Sequence, residues 1–288
     1  MFGCISKNLK LISTLLACIA CLHTIALAQY ISPELVQITT PVYKPDFSEF
    51  KPQLGTYKYE ISWQGIPAAE AVIKLELVND QFRVTANART YSPINIFYNL
   101  NYNAAGLLSL ADFSPIHTTV YHQENSRIKN TDIKFLENGD ILAVRSQNNE
   151  EPPKVVHFNS NNFTLEPFSA ALIARSLNWQ EGQSREFDAF NGKTRYLVTL
   201  TAKEKSLVST ESGEKEVWGI EPTVKNLSDQ KANGKLKHAT IYVTTDRSHD
   251  IVKISSKVFI GTVNTKLKEF VPISQQASTV LARELNLK

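Results

Sequence analysis

Hydrophobic and polar residues alternate strictly at the start of the folded part of this chain. Tyr57, Tyr59, Ile61 and Trp63 are interleaved with Thr56, Lys58, Glu60 and Ser62. A period of two puts the first set on one face of a β-strand and the second on the other, so one face is dry and one wet. Gln64-Gly65-Ile66-Pro67 is expected to stop that strand, because Gly65 accepts positive φ and Pro67 has no N–H for a ladder. Ala71, Ile73, Leu75 and Leu77 then resume the alternation, so Leu54 to Leu77 reads as the founding hairpin of an antiparallel sheet.

The same period recurs along most of the chain. Phe82, Val84, Ala86 and Ala88 follow a turn at Asn79-Asp80 and end at Ser92-Pro93, and Tyr98, Leu100, Tyr102 and Ala104 alternate with Asn99, Asn101 and Asn103. Phe113-Ser114-Pro115 is a corner before a strand near Ile116 to Gln123. Asn138-Gly139-Asp140 joins Ile128 to Leu136 with Ile141 to Arg145 in a tight hairpin, and Lys154 to Phe158 is a short strand. The period changes only between Glu166 and Trp179, where Phe168, Leu172, Arg175 and Trp179 recur at helical spacing behind Pro167. Strands resume at Ser184 to Phe190, turn at Asn191-Gly192, and continue through Tyr196, Val198 and Leu200. Further turns at Ser212-Gly213, Asn233-Gly234 and Gly261 separate strands up to Phe270, and Ser274 to Leu287 is expected to form a capped terminal helix. About a dozen strands and two helices leave no room for repeated βαβ units. The expectation is a mainly β fold: a large antiparallel curved sheet or half-open barrel-like meander, with one internal helix and a short C-terminal one. One domain, 54–270, holds two halves of similar strand content that meet at the helix, with 271–288 as a tail.

Two stretches ahead of the domain have a different character. Lys7 and Lys10 precede an apolar run from Leu11 to Leu27 that ends in Ala26-Leu27-Ala28, which reads as a signal peptide over 1–28, cut after Ala28. A retained anchor is the competing reading, but Ser13, Thr14, His23 and Thr24 interrupt the run. Cys18 after Leu15-Leu16-Ala17 offers a third, a lipoprotein cleavage box. Residues 29–53, with Pro33, Pro41, Pro45 and Pro52, form an extended arm that is either a tether or a docked segment, the latter suggested by Val42, Tyr43, Phe47 and Phe50.

Composition narrows the chemistry. All three cysteines, Cys4, Cys18 and Cys21, lie in the leader, so a cut chain has no disulfide, thiol nucleophile or cysteine metal site. Two of the 31 basic residues are in the leader as well, and the rest balance the 28 acidic ones almost one for one. That balance gives no electrostatic reason to expect nucleic acid or an anionic membrane surface, and no membrane span is expected after cleavage. The chain has no nucleophile elbow, phosphate-binding loop, dinucleotide fingerprint or metalloprotease helix. Ser248-His249-Asp250 has the residue types of a hydrolase triad, but sequence neighbours point in different directions, so it reads as a polar turn. His117 and His122 fall on opposite faces of one strand, so neither a metal nor any other cofactor is expected.

Aromatic residues and one arginine remain as candidates. Trp63, Tyr102, Trp179 and Trp218 either line a cavity between a curved sheet and its helix or fill the core. Arg175 shares the helical stripe, where it either pairs with a carboxylate or waits at a cavity mouth for an anionic headgroup.

Taken in order, Tyr57-x-Tyr59-x-Ile61-x-Trp63-x-Gly65-Ile66, then Phe113-Ser114-Pro115, then Phe168-Ser169-Ala170-Ala171 with Arg175, then Gly261, the chain resembles an exported bacterial family known only as domain of unknown function 3108. The resemblance covers about Leu54 to Phe270. It departs at Ala69, where the family usually has Gly, and at Glu166, where it usually has Asp, which implies a less well capped helix. The resemblance implies an exported setting and a β-rich domain and lends no reaction. The functional expectation is a non-enzymatic envelope protein that binds an apolar or amphipathic ligand, such as a lipid, or another envelope component. A protein-interaction or assembly factor with an envelope protein as partner is the alternative, and an enzyme without a recognisable motif the second.

Overall fold

The computed structural model describes residues 38–148, 152–160, 162–228, 239–257 and 261–273. The leader, its cut after Ala28, the lipidation alternative at Cys18, the turn at Asn233-Gly234 and the helix after Ser274 lie outside the described residues.

The first eight strands are β1 (Gly55–Trp63), β2 (Ile66–Val78), β3 (Gln81–Thr90), β4 (Leu100–Ser109), β5 (Pro115–Glu124), β6 (Arg127–Phe135), β7 (Asp140–Gln147) and β8 (Lys154–Asn159). A single turn of helix, α1 (Ser92–Asn95), joins β3 to β4. The founding hairpin closes more tightly than its sequence suggests. Trp63 pairs with Ile66, leaving Gln64 (φ 50°) and Gly65 (φ 83°) as a two-residue turn. Ile66 and Pro67 therefore belong to β2, and Pro67 is accommodated where the register shifts between Ile61 and Ser62. Asn79 and Asp80, both at positive φ, turn β2 into β3 in the same manner.

After β8 come β9 (Thr164–Leu165), α2 (Pro167–Ser176), β10 (Ser184–Phe190), β11 (Arg195–Thr210), β12 (Gly213–Asn226), β13 (Ala239–Thr244), β14 (Ile251–Lys257) and β15 (Thr262–Pro272). All fifteen strands form one sheet, in the order β8 to β1 and then β15 down to β9. Every pairing is antiparallel except that of β9 with β10.

That order forces the shape. Laid flat, fifteen strands at ~4.8 Å spacing would put β8 and β9 about 67 Å apart. Only four residues separate Asn159 from Thr164, a reach of at most about 18 Å. The sheet must curl until its edges approach, yet no backbone ladder joins them, so the barrel stays open along a seam. Side chains fill that seam. Phe158 of β8 meets Phe190 of β10 edge to face at 5.1 Å, and the Arg195 guanidinium sits 5.5 Å from the Phe158 ring. Arg195 Nε in turn donates to Asp188 at 2.9 Å, with both residues almost fully buried. The β10–β11 turn presses onto β6 at Gly192, where φ is 85° and a Cβ would fall 2.4 Å from the Thr131 methyl.

Helix α2 lies inside the curl. Phe168, Leu172 and Ile173 pack between Val84, Ala104 and Val120 on one side and Phe187, Ile220 and Val243 on the other. Burying each contributes about 1.5–3 kcal/mol. Gly106 of β4 lets Phe168 come close, since a Cβ there would sit 2.8 Å from the ring. Contrary to the expectation of a poorer cap, Glu166 closes the helix start well, accepting from the amides of Phe168 (3.0 Å) and Ser169 (2.6 Å). The helix also ends sooner than 166–179 implies: Ser176 is its last residue, Leu177 is extended, and Trp179 lies past the end.

The described part of the arm is laid against the domain. Tyr43 packs on Phe187 at 5.0 Å, Phe47 on Phe113 at 5.4 Å, and Phe50 is fully buried.

Candidate functional site

The five residues singled out from sequence do not share one cavity. Trp63 is half-buried at the end of β1 against Ala68, Tyr98 and Leu100. Tyr102 bridges two parts of the core, its ring 6.0 Å from that of His122. Burial pushes its phenol up, and the nearby Glu166 carboxyl adds to the effect. Trp179 and Trp218 do come together. With Leu177, Val243 and His249 they line a recess of about 180 Å³, at whose rim Lys205 Nζ sits 5.2 Å above the Trp218 ring.

Arg175 is behind that recess, bound to the turn between β13 and β14. Its Nη2 donates to Asp250 Oδ1 at 2.7 Å and to the Ser248 carbonyl at 2.9 Å, and its Nε donates to the His249 carbonyl at 2.7 Å. Tyr57 Oη donates to the same Asp250 oxygen at 3.0 Å, and the guanidinium sits 5.7 Å from the Phe50 ring of the arm. Ser248-His249-Asp250 is thus a polar junction between helix, arm and β1. Ser248 Oγ lies between the carboxylates of Asp246 and Asp250, at 2.6 and 2.8 Å. His249 Nδ1 meets the Arg175 carbonyl instead of a serine. A carbonyl only accepts, so Nδ1 carries the proton. The imidazole thereby caps the C-terminal end of α2, as do Ser176 Oγ on the Ile173 carbonyl and Trp179 Nε1 on that of Ala174.

The larger concavity is one that the sequence argument passed over. A depression of about 640 Å³ crosses β3 to β7 on the face turned away from α2. Val84 and Ala86 face the helix, so Thr85 and Asn87, each one residue further on, face out. Asn103, Thr119, Tyr121 and Asn130 do the same on the next three strands. Asp132 is its carboxylate, 3.0 Å from His117 Nε2, and no Lys or Arg lines it. The sequence signal was the polar half of the alternation, with Asn101 and Asn103 set opposite Leu100 and Tyr102. A wet strand face is the default for an antiparallel sheet, so that signal alone did not mark a site.

Two buried groups on the inner face of the curl titrate away from their ordinary ranges. Burial pushes the Glu166 carboxyl up to about 7, against the pull of the Phe168 and Ser169 amides. Burial, aided by Lys129, pushes His122 down to about 4. Among the described residues no group of three or more His, Cys, Asp or Glu side chains is placed to hold a metal ion.

The family model described as "Protein of unknown function (DUF3108)" matches residues 58–268, from within β1 to within β15. The chain belongs to the DUF3108 family. As a DUF3108 domain it is also similar in fold to a solved beta-barrel-like protein of the DUF1849 family from Brucella abortus. The two superpose with a TM-score of 0.54 at 10% identity, over 77% of this chain and 98% of that one. A protein inferred to be exported, with a YmcC-like fold, from Bacteroides fragilis matches at 8% identity and a TM-score of 0.31, over 77% of this chain and 98% of its own. An inferred lipoprotein from Parabacteroides distasonis matches at 9% and 0.30, over 82% and 100%. The last two scores are too low to argue from. No curated protein matches the DUF3108 chain. No helix among its described residues is long and apolar enough to cross a membrane.

Proposed function

We propose that this DUF3108 protein is an exported, non-enzymatic binding protein of the cell envelope that takes its ligand on the outside of the curled sheet, in the depression across β3 to β7. The observation that carries the reading is the state of its side chains. Those of Thr85, Asn87, Thr119, Asn130 and Ser146 make no hydrogen bond to other described residues, although all line one concave surface. Hydrogen-bonding groups left open together in a hollow are the ordinary makings of a binding site. The envelope setting rests on Lys7, Lys10 and the Ala26-Leu27-Ala28 ending of the leader. An apolar ligand inside the curl, the expectation from sequence, has to compete with α2 and the aromatic residues packed there. The recess between Trp179 and Trp218 supports a second reading, an amphipathic headgroup beside Lys205.

Native mass spectrometry of protein purified from its own envelope separates the two. A retained ligand that is lost from Tyr121→Ala and kept by Trp218→Ala supports the groove. Loss from Trp218→Ala alone moves the site to the recess, and a wild type that never retains a ligand refutes both.

A further inference from the structure

The chemistry of the groove narrows the class of ligand, an argument that rests on the binding function just proposed. Its open groups are of two kinds only, carboxamides and hydroxyls, and each of these both donates and accepts. Between them the floor shows small apolar groups, from Ala105 and Val144, with the half-buried ring of Tyr121 beside them. A phosphate or other anionic headgroup would find no cation in this lining, and the Asp132 carboxylate is already beside His117. An acyl chain would strip water from the amides and leave them unpaired, at a cost in every case. An extended peptide has no ladder to join, because β3 to β7 are all paired on both sides.

A neutral glycan meets each of these conditions. Its rings carry hydroxyls that donate and accept at the rim and C–H faces that lie on apolar floors and aromatic rings. The groove crosses five strands, about 19 Å at the usual spacing, which is room for several sugar rings in a row. We infer that the groove of the β3 to β7 face binds a neutral oligosaccharide stretch, held by Asn87, Asn103 and Asn130 and stacked on Tyr121.

The test is an NMR titration of the folded domain with its leader removed, following the side-chain amide signals of those three asparagines. The probes are chitotetraose, maltotetraose, vesicles of phosphatidylethanolamine with phosphatidylglycerol, and a detergent extract of the protein's own envelope. The inference expects saturable shifts with at least one of the two oligosaccharides. Tyr121→Ala should weaken that binding roughly tenfold at an unchanged thermal midpoint. Asn130→Leu, at an exposed position, gives the same reading should Tyr121→Ala fail to fold. If the extract shifts the three signals and neither oligosaccharide does, the glycan class is wrong and the binding function stands. Shifts with the vesicles in place of the oligosaccharides assign the groove to lipid. If nothing moves the signals, the glycan inference and the binding function fall together.

Discussion

Glu166 has no exposed surface, caps a helix from inside a barrel, and has its carboxyl raised to about 7 from an ordinary 4.5. Below about pH 4.5 both the folded and the unfolded chain hold this proton. Between there and about 7 only the folded chain does, so stability falls as pH rises through that window. His122, lowered to about 4 from 6.5, runs the other way: between those values only the unfolded chain is protonated, and stability falls as pH drops. Each contribution is about 3 kcal/mol, and in wild type they offset one another between about pH 4.5 and 6.5. Glu166→Gln removes one of the pair. Its urea stability should therefore drop by about 3 kcal/mol relative to wild type as pH falls through that range, and parallel pH profiles for the two proteins would show that Glu166 does not titrate there. Little in the residue pattern pointed to this carboxyl, because the reach that lets Glu166 bridge two amides depends on its rotamer in a closed space. Arg175 was half legible: its stripe on the helix demanded a partner, but Asp250 comes from 75 positions away and only the fold supplies it.

At the scale of elements, period two found nearly every strand, because one face of an antiparallel strand is buried and the other wet. The errors lie at ends. Trp179 sits at helical spacing from Arg175, yet the helix stops at Ser176 and the indole turns back to cover a terminal carbonyl. An aromatic just past a helix and one on its last turn look alike in sequence. The fit of α2 against the sheet depends on Gly106, which is an ordinary strand residue by pattern and a notch for Phe168 by structure. Gly106→Ala should cost about 1–3 kcal/mol in chemical denaturation despite the better strand propensity of Ala, and Phe168→Leu should restore part of it by shortening the ring side. A neutral Gly106→Ala would mean that Phe168 gives way on its own.

For the whole molecule, a curved, half-open meander was legible in the run of alternating strands, while the strand order was not, since it follows from which strands pair. Read from β9, the sheet runs β9 to β15 and then β1 to β8, so each strand follows its predecessor at every step but the one from β15 to β1. There the segments flanking the domain lie side by side, with the Ile273 amide donating to the Leu54 carbonyl at 3.1 Å. Apart from the parallel β9–β10 pair and its helical crossover, the architecture is therefore a meander whose covalent order has been cut and rejoined in the four-residue link between β8 and β9. The β15 to β1 pairing is the one non-local step, closing the large loop that joins two runs of neighbouring strands into one sheet. A circular permutant that opens this link and joins Ile273 to the arm turns that slow step into a neighbouring hairpin. It lowers the contact order, and in stopped-flow measurements it should refold faster than the natural connectivity; an equal or slower rate would place the limiting event in the docking of α2 and the seam.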